Sequence, residues 1–370
     1  MLIGVPAEIK PEEYRVGLVP ATIRELVARG HRVEVETRAG VGAGISDREY
    51  MEAGAAIVGD AATLFERAEL IVKVKEPLAL ERRRLRRGQA IFTYLHLAAD
   101  RAQLDDLLQS GVTAIAYETV TDPAGRLPLL APMSKVAGRM APQVAANFLQ
   151  HFHGGRGILL GGIDGVAAAN VIILGGGTVG TSAADVAIGM GAAVMIAVRS
   201  AATAERLKSR FEGRANAITA DEKTVAELCR SADVVIGAVL VPGAAAPKLI
   251  SRETIATMKR GAVLVDVSID QGGCAETSRA TTHGDPIYVV DGIVHYCVAN
   301  MPGAVPRTST FALNDATRPF VLALADKGIV RAMREDAGFC NGLNVHDGKL
   351  TCRPVADEAG LPFTSPDDLL

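Results

Sequence analysis

A glycine-rich loop between an apolar strand and a helical segment constrains the fold of this 370-residue chain more than any other feature. The strand covers residues 171–174, and the glycines Gly175, Gly177 and Gly180 follow in the spacing G-x-G-x-x-G. In that context the first glycine permits a tight turn, the second lets a pyrophosphate approach the backbone, and the third lets the helix pack on the strand. The N-terminus of the helix adds free N–H groups and a positive dipole end. The motif therefore predicts a dinucleotide-binding α/β domain that uses NAD or NADP.

The end of the next strand bears on which dinucleotide binds. That strand ends in Ala197-Val198-Arg199-Ser200, and no acidic residue lies between positions 185 and 205. An acid about 20 residues after the glycines usually accepts hydrogen bonds from the ribose hydroxyls, whereas an arginine accommodates a 2′-phosphate. A guanidinium and a hydroxyl suit a dianionic phosphate, so the sequence favours NADP over NAD. The alternative is that Arg199 is a solvated strand-end residue and that the ribose meets backbone or water.

Composition excludes several classes of protein. The chain has 49% hydrophobic residues and a net charge of −3, which gives no electrostatic basis for binding nucleic acid or an anionic membrane. No apolar run approaches the roughly 18 residues that a membrane span requires, and the N-terminal sequence lacks the regions of a signal peptide. The five cysteines are odd in number and without C-x-x-C spacing, which predicts neither a disulfide framework nor a zinc site. We therefore expect a cytoplasmic protein without a bound metal.

Strand and helix signals alternate along nearly the whole chain. Before the glycine loop, strands are predicted at 2–5, 32–36, 70–74, 90–93 and 112–117, and helices at 21–29 and 102–108. After it, strands are predicted at 193–198, 233–238, 262–267 and 287–290, then a helix at 314–325 and an irregular C-terminal segment. This alternation is typical of βαβ units. The expected fold class is α/β, with two Rossmann-like doubly wound parallel-sheet domains and a cleft between them.

Ionisable residues follow several of these strands. Arg15, Lys75 and His96 follow three strands before the glycine loop, and Asp270 follows a strand of the dinucleotide domain. Ligands of open α/β sheets bind outside the carboxyl ends of the strands. Two cations, a histidine and a carboxylate would suit a small anionic substrate that exchanges a proton, although each residue alone is more often solvated or structural.

The segments around these residues resemble the alanine dehydrogenase family. The matching motifs are Glu-Tyr-Arg-Val at Arg15, Val-Lys-Val-Lys-Glu-Pro at Lys75, Phe-Thr-Tyr-Leu-His-Leu-Ala at His96, Leu-Leu-Ala-Pro-Met-Ser at Ser134, Gly-Ala-Val-Leu-Val-Pro-Gly at 237–243, Val-Asp-Val-Ser-Ile-Asp-Gln-Gly-Gly at 265–273 and Tyr-Cys-Val-Ala-Asn-Met-Pro at 296–302. The resemblance covers residues 1 to about 330 in register. It implies a discontinuous substrate domain, residues 1–128 plus 307–370, a dinucleotide domain at 129–306, and a homohexamer.

The resemblance also implies a reaction, the reversible deamination of L-alanine to pyruvate and ammonia with hydride transfer to NAD(P). Arg15 is then the expected clamp for the substrate carboxylate, and Lys75 the cation that contacts either the carboxylate or the keto oxygen and polarises it as a point charge. His96 is the expected general acid/base, because histidine ordinarily titrates near neutral pH. Asp270 would orient the amine or activate water, and Met133 and Asn300 complete the substrate-binding set.

The family's cofactor-contacting stretches fall on both sides of the glycine loop. Besides the three glycines and the 198–200 segment, the expected cofactor contacts are Ser134, Thr178, Val179, Val239, Leu240, Val267, Ser268, Ile269, Arg279, Val298, Ala299 and Met301. The family's acidic ribose ligand falls on Val198, and a hydroxyl position further along reads Thr219-Ala220-Asp221. These departures lie at the adenosine end, while the substrate residues are unchanged. They place the identity of the cofactor in question and leave the chemistry intact.

Two other functions stay open at this point. The same reaction could act on another small 2-amino acid, such as glycine (with glyoxylate as the keto acid), serine or 2-aminobutyrate. A function of another class is a dinucleotide-binding module that resembles the soluble part of transhydrogenase. The complete set of Arg15, Lys75, His96 and Asp270 argues against that module, because a binding domain needs neither a carboxylate clamp nor a proton donor.

Overall fold

The computed structural model describes residues 1–239 and 246–370, which fold as two units. Unit 1 comprises Met1–Met133 and Val305–Leu370, and unit 2 comprises Ser134–Ala304. The domain boundaries predicted from sequence, after residues 128 and 306, stay a proposal about where independently folding domains begin. Among the helices of the described ranges, none has the length and apolar character needed to cross a bilayer.

Each unit is built around one sheet. In chain order the strands of the described ranges, β1 to β15, are Leu2–Val5, Arg32–Glu36, Ala56–Val58, Leu70–Val72, Ala90–Thr93, Thr113–Ala116, Asn170–Leu174, Ala193–Val198, Asn216–Thr219, Val234–Gly237, Val263–Asp266, Ile287–Val290, Ile293–Tyr296, Leu343–His346 and Lys349–Leu350. The sheet of unit 1 has the order β15-β14-β6-β5-β4-β1-β2-β3, and that of unit 2 has the order β12-β13-β11-β10-β7-β8-β9. Both sheets reverse their order beside their first strand, β1 or β7. Ligands of doubly wound sheets bind at such a switch point.

Helices connect the parallel strands. In chain order the helices of the described ranges, α1 to α14, are Pro20–Ala28, Asp47–Glu52, Ala61–Arg67, Ala79–Arg82, Arg101–Ser110, Ala131–Phe148, Thr178–Gly189, Ala201–Phe211, Glu222–Ser231, Arg252–Thr257, Pro306–Lys327, Ile329–Glu335, Ala337–Cys340 and Arg353–Ala359. Several begin at a side-chain cap that satisfies their first N–H groups. Ser200, Asp221 and Ser251 cap α8, α9 and α10 in this way.

The core of unit 2 lies on both faces of its sheet. In β7, Val171 and Ile173 pack into a cluster with residues of α6 and α7. Ile172 and Leu174 point to the opposite face and pack into a second cluster with residues of α9 and α10. Because successive side chains of a strand alternate between faces, a strand covered on both sides must be apolar throughout. This explains the uninterrupted apolar run that precedes the glycine loop.

The α/β fold with two mainly parallel sheets is confirmed, and so is a strand at 287–290, but the prediction of an irregular C-terminal segment is wrong and the direction of one strand differs. The C-terminal segment is not irregular, because β14 and β15 extend the sheet of unit 1 as antiparallel strands and α14 follows them. The predicted strand at 287–290 is antiparallel to β13 and forms the edge of the other sheet. β14 and β15 are short and carry polar residues, so they lack the apolar run that marks a parallel strand. β12 reads Ile-Tyr-Val-Val and is apolar, but it is only partly buried, as an edge strand is.

Candidate active site

The glycine loop of unit 2 has the shape that its spacing predicts. A Cβ atom on Gly175, which has φ of 114°, would lie 2.4 Å from the carbonyl oxygen of Ala238. A Cβ on Gly180 would lie 1.9 Å from the carbonyl oxygen of Gly175. At Gly177 no atom lies within 4 Å of the same position. Gly175 and Gly180 are therefore required by packing, whereas Gly177 leaves open space beside the backbone.

The start of α7 can receive the phosphates of a dinucleotide. The helix begins at Thr178, and its N-cap residue, Gly177, supplies no side-chain oxygen to the first N–H groups. Thr178 is exposed and Val179 half-buried. Uncapped N–H groups at the positive end of a 12-residue helix favour an anion. Together with the open space at Gly177, this shows that the residues present fit a nicotinamide dinucleotide.

No carboxylate stands at the end of β8, where the adenine ribose is expected. Val198 is buried, and Arg199 and Ser200 are exposed. The hydroxyl of Ser200 accepts the N–H of Thr203 at 3.5 Å and so caps α8. Val198 lies against the glycine loop, because a Cβ atom on Gly176 would lie 2.9 Å from its Cγ1 atom. An exposed guanidinium is thus the first charged group after β8.

Two of the expected cofactor stretches are tied together by Ser268. Its hydroxyl donates to the carbonyl oxygen of Val239 at 2.7 Å and accepts the N–H of Val239 at 3.1 Å. The Ser268 N–H donates to the buried carboxylate of Asp266 at 3.1 Å. Val267 is half-buried and Ile269 buried in the same 3-10 helix, Val267–Gln271. Leu240, also expected to contact the cofactor, lies outside the described residues.

Most of the remaining expected cofactor residues lie at the end of β13 and beside it, and Ser134 lies on α6. Val298 forms a parallel bridge with Thr281, and the N–H of Ala299 donates to the carbonyl oxygen of Thr281 at 3.1 Å. Met301 is buried. The guanidinium of Arg279 lies over the ring of Tyr288, 4.0 Å from its centroid. Ser134 is half-buried near the start of α6.

Arg15 of unit 1 is buried and paired with Glu13. Its Nε donates to one oxygen of Glu13 at 2.6 Å, and its Nη2 donates to the other oxygen. Burial disfavours the charged guanidinium, but the hydrogen bonds and charge of Glu13 outweigh burial and hold the pKa of Arg15 above its ordinary value. Nη1 lies 3.0 Å from the sulfur of Met133. Because a thioether is a weak acceptor, a substrate carboxylate would compete well for that end of the guanidinium.

Lys75 lies in a segment that a buried ion cluster supports. The carboxylate of Glu8 accepts the N–H of Val74 at 2.7 Å and that of Lys75 at 3.3 Å. It also accepts from the ammonium of Lys73, at 3.0 Å, and Lys73 donates to Glu81 at 2.7 Å. Burial raises the pKa of Glu8, and Lys73 opposes the rise. Lys73 is therefore the structural lysine of this motif, and the half-buried Lys75 is the one near the surface.

His96 follows β5 in an unusual backbone conformation. Its φ of 52° and ψ of 41° are left-handed, and its side chain is 47% exposed. The ring stacks on Tyr94, with centroids 5.8 Å apart. Glu118 holds this backbone, because its carboxylate accepts the His96 N–H at 2.6 Å and lies 4.0 Å from Nδ1. A strained backbone over-determined by its neighbours is typical of a functional position.

Asp270 and Asn300 meet in unit 2. The N–H of Asn300 donates to the carboxylate of Asp270 at 3.4 Å. Asn300 has φ of 61°, and its carbonyl oxygen accepts from the ring of His283 at 3.2 Å. The exposed Asp270 lies in the 3-10 helix Val267–Gln271, directly after β11, where the sequence predicts a functional carboxylate.

The structure thus brings two pairs of the predicted residues into contact, and it ties Lys75 to the strand that precedes His96. Arg15 contacts Met133, and the hydroxyl of Thr93, at the end of β5 and three residues before His96, donates to the carbonyl oxygen of Lys75 at 2.8 Å. Asp270 contacts Asn300 in the other unit. Sequence reasoning missed Glu13 and Glu118. The rule that found His96, an ionisable residue just after a strand, would also have found Glu118, which follows β6.

Two family models match the chain. They are described as the N-terminal and the C-terminal domain of alanine dehydrogenase/PNT, and they match residues 4–137 and 141–353. An alanine dehydrogenase of Halomonas elongata is 57% identical over 370 residues, which is the whole of both chains.

Two solved structures are also similar to this chain, and an alanine dehydrogenase is the more similar of these two. A structure of L-alanine dehydrogenase matches with a TM-score of 0.94 and 48% identity, covering 97% of this chain and 99% of the other. A transhydrogenase from Sinorhizobium meliloti matches with a TM-score of 0.84 and 25% identity, covering 95% and 100%.

Proposed function

We propose, because this chain belongs to the alanine dehydrogenase/PNT family, that it catalyses the reversible oxidative deamination of L-alanine to pyruvate and ammonia. A nicotinamide dinucleotide, when bound, accepts the hydride in this direction and supplies it in reverse. The observation that carries the proposal is the 57% identity to an alanine dehydrogenase across the full length of both chains. The likeness to a transhydrogenase has only 25% identity, so it supports a dinucleotide-binding module without turnover less well than the alanine dehydrogenase likeness supports the reaction.

The substrate is proposed to bind through its carboxylate and keto oxygen. Glu13 fixes the guanidinium of Arg15 in one plane, so that its Nη1 end is oriented without loss of side-chain entropy on binding. Lys75 is proposed to polarise the keto oxygen as a point charge. Met133 and Asn300 are proposed to line the substrate position. Holding the substrate in one orientation accounts for a large part of an enzyme's rate advantage.

Proton transfer is proposed to pass through His96. Its exposed ring stacks on Tyr94, and Glu118 accepts its backbone N–H, so the ring is proposed to have access to both substrate and water. The exposed carboxylate of Asp270 is proposed to orient the amine or activate water. Asn300 would then position Asp270, since its N–H is the donor to that carboxylate.

A spectrophotometric assay tests the reaction. We expect the purified chain to oxidise reduced dinucleotide when given pyruvate and ammonium, and to reduce oxidised dinucleotide with L-alanine. Glyoxylate, the keto acid of serine and 2-oxobutyrate serve as competing substrates, and a higher kcat/KM for any of them would replace alanine. Absence of turnover with every keto acid, together with normal dinucleotide binding, would support the binding module instead.

Cofactor choice is proposed to favour NADP. An acid at the end of β8 would repel a 2′-phosphate and hold the ribose diol, and Val198 does neither. A charge-assisted hydrogen bond from Arg199 would contribute about 1.5–3 kcal/mol, or roughly one to two decades in affinity. We expect kcat/KM for NADPH to equal or exceed that for NADH, and the double variant Val198→Asp with Arg199→Ile to reverse the order. A strong NADH preference that survives Arg199→Ala would mean that Arg199 points to solvent.

The chain is also proposed to form a homo-oligomer, and the family resemblance implies that this oligomer is a hexamer. Large apolar side chains are exposed together in one segment of unit 2, with Phe152 94%, Ile163 68% and Leu159 63% exposed. A contiguous exposed patch of apolar side chains typically marks an interaction surface, and we propose that these three side chains form one. Light scattering on the wild type and on Phe152→Ser with Ile163→Ser tests this, and an unchanged mass would contradict it. A cytoplasmic location stays a prediction.

A further inference from the structure

A cavity of about 530 Å³ lies beside the glycine loop of unit 2 and is lined by four cations. Its polar wall is formed by Gly176, Gly177, Thr178, Thr181, Ser182 and Asp185. Lys135 and Arg139 face it from α6, and Arg206 and Arg210 from α8. Within each pair the residues are four positions apart and so share one face of their helix. Two helices that flank α7 therefore each direct a pair of positive charges at its first turns.

Most of this positive charge is unneutralised. Asp185 forms an ion pair with Arg210 at 2.8 Å and so neutralises one of the four cations. Within the described ranges, no acidic side chain lies within ion-pair distance of Lys135, Arg139 or Arg206. Three cations and the positive end of α7 thus surround one small volume. Such a site suits an anion carrying more than one negative charge.

Arg206 connects this cavity to the ribose end of the dinucleotide site. Its guanidinium donates to the carbonyl oxygen of Gly176 at 3.0 Å. The same glycine lies against Val198, at the end of β8, and against Thr203, in the first turn of α8. A ribose held between the glycine loop and the end of β8 would therefore present its 2′ position close to Arg206.

From this geometry we propose that the cavity is the subsite for the 2′-phosphate of NADP, with Arg206 as its specificity-determining residue and Lys135 as a second ligand. The inference rests on the proposed cofactor preference and deepens it, since the phosphomonoester is held from α8 and α6 and not by Arg199 alone. The competing occupant is the pyrophosphate that both dinucleotides share.

Binding of two small probes separates these occupants without any turnover. Adenosine 2′,5′-bisphosphate and 5′-AMP differ only in the 2′-phosphate, and calorimetry gives the affinity of each. We expect Arg206→Gln to weaken the bisphosphate about 10- to 100-fold, the range of one or two charge-assisted bonds, and 5′-AMP less than about twofold. The ratio of kcat/KM for NADPH to that for NADH should fall by the same factor. Lys208→Gln, a variant of an exposed lysine on α8 that pairs with Glu205, is the matched control and should change neither probe.

Because Arg206 also supports the glycine loop, Lys135→Gln provides an independent variant that leaves that bond in place. It should weaken the bisphosphate about three- to tenfold. Equal losses for both probes in both variants would assign the cavity to the pyrophosphate and overturn the inference. If the wild type prefers NADPH but neither variant weakens the bisphosphate, the inference fails and the cofactor proposal stands. If the wild type prefers NADH and Arg206→Gln still weakens the bisphosphate tenfold, the cofactor proposal fails and the subsite stands.

Discussion

Units 1 and 2 have similar strand orders but place different chemical groups after their first strand. The first five strands of each sheet follow the order third-second-first-fourth-fifth, around β1 in unit 1 and around β7 in unit 2. After β7 comes a glycine loop that presents backbone N–H groups and open space. After β1 comes a segment with the buried Arg15–Glu13 ion pair. The buried ion pairs of Lys73 follow β4, the strand next to β1 in the sheet. One switch point therefore offers backbone N–H groups to a ligand, and the other offers fixed side-chain charges.

The difference matters because the two kinds of site fail differently when changed. A backbone site depends on what is absent, namely a Cβ atom, so a small addition destroys it. A charged site depends on paired ions, so removing one partner leaves the other buried without compensation. Recognition of a cofactor shared by many reactions suits the first kind, and recognition of one small substrate suits the second.

The largest effect is expected at His96, in unit 1. His96→Ala should lower kcat by about 10²- to 10⁴-fold, because it removes the proposed general acid/base. Dinucleotide affinity, a property of unit 2, should stay nearly unchanged in calorimetry. His151→Ala, which alters an exposed histidine of unit 2, is the control. A His96→Ala enzyme that keeps more than about a tenth of wild-type kcat would remove His96 from the chemistry.

A matched pair of glycines tests the backbone site. Gly180→Ala places a Cβ 1.9 Å from a carbonyl oxygen, whereas Gly177→Ala places one in open space. We expect Gly180→Ala to lower the free energy of unfolding of unit 2 by about 1–3 kcal/mol, as overpacking does. Gly177→Ala should keep stability and weaken dinucleotide binding. Denaturant unfolding and calorimetry measure both; equal stability of the two variants would contradict the steric argument.

Arg15 tests the charged site. Arg15→Lys keeps the charge but loses the fork that Glu13 holds, so KM for pyruvate should rise about 10- to 100-fold with kcat less affected. Glu13→Gln should also raise KM for pyruvate, because the guanidinium of Arg15 loses the carboxylate that holds its orientation. Lys75→Ala should lower kcat as well, because polarising the keto oxygen stabilises the transition state more than the ground state. An unchanged KM in Arg15→Lys would assign Arg15 to structure alone.

The smallest effect is expected from two histidines that lie on the strands next to the sheet edges, β13 and β14. Burial lowers the pKa of His295 in unit 2 and of His346 in unit 1. Each folded pKa then lies below the unfolded value, so stability is complete above about pH 6.5 and is lost as the pH falls, by at most about 1.4 kcal/mol per pH unit for one proton. His295 is fully buried and His346 only half-buried, so the loss should be larger in unit 2.

Thermal unfolding of the wild type, His295→Gln and His346→Gln at neutral and mildly acidic pH measures this difference. Acidification should narrow the stability gap between the wild type and His295→Gln more than the gap to His346→Gln. Gaps that do not change with pH would show that neither imidazole resists protonation in the folded state.

How far the sequence determined the protein follows from the range of each interaction. The glycine spacing, the apolar strand and the helix are local signals, so the α/β class, the dinucleotide loop and the residues after the strands could be recognised without coordinates. The resemblance of several motifs was enough to identify the family. The missing acid at Val198 was likewise a local fact, and the cofactor preference argued from it remains a proposal.

Only the tertiary structure decided what depends on distant residues. Three features leave no local pattern: the contact of Arg15 with Met133, 118 positions away, the buried ion pairs of Lys73, and the antiparallel pairing of β12 and β14. The four cations around the glycine loop stand on helices about 70 positions apart in sequence, and each looks like an ordinary surface charge. Local sequence encodes backbone conformation and burial, whereas charge pairing and cavity lining arise from packing, which brings together residues whose spacing along the chain carries no information.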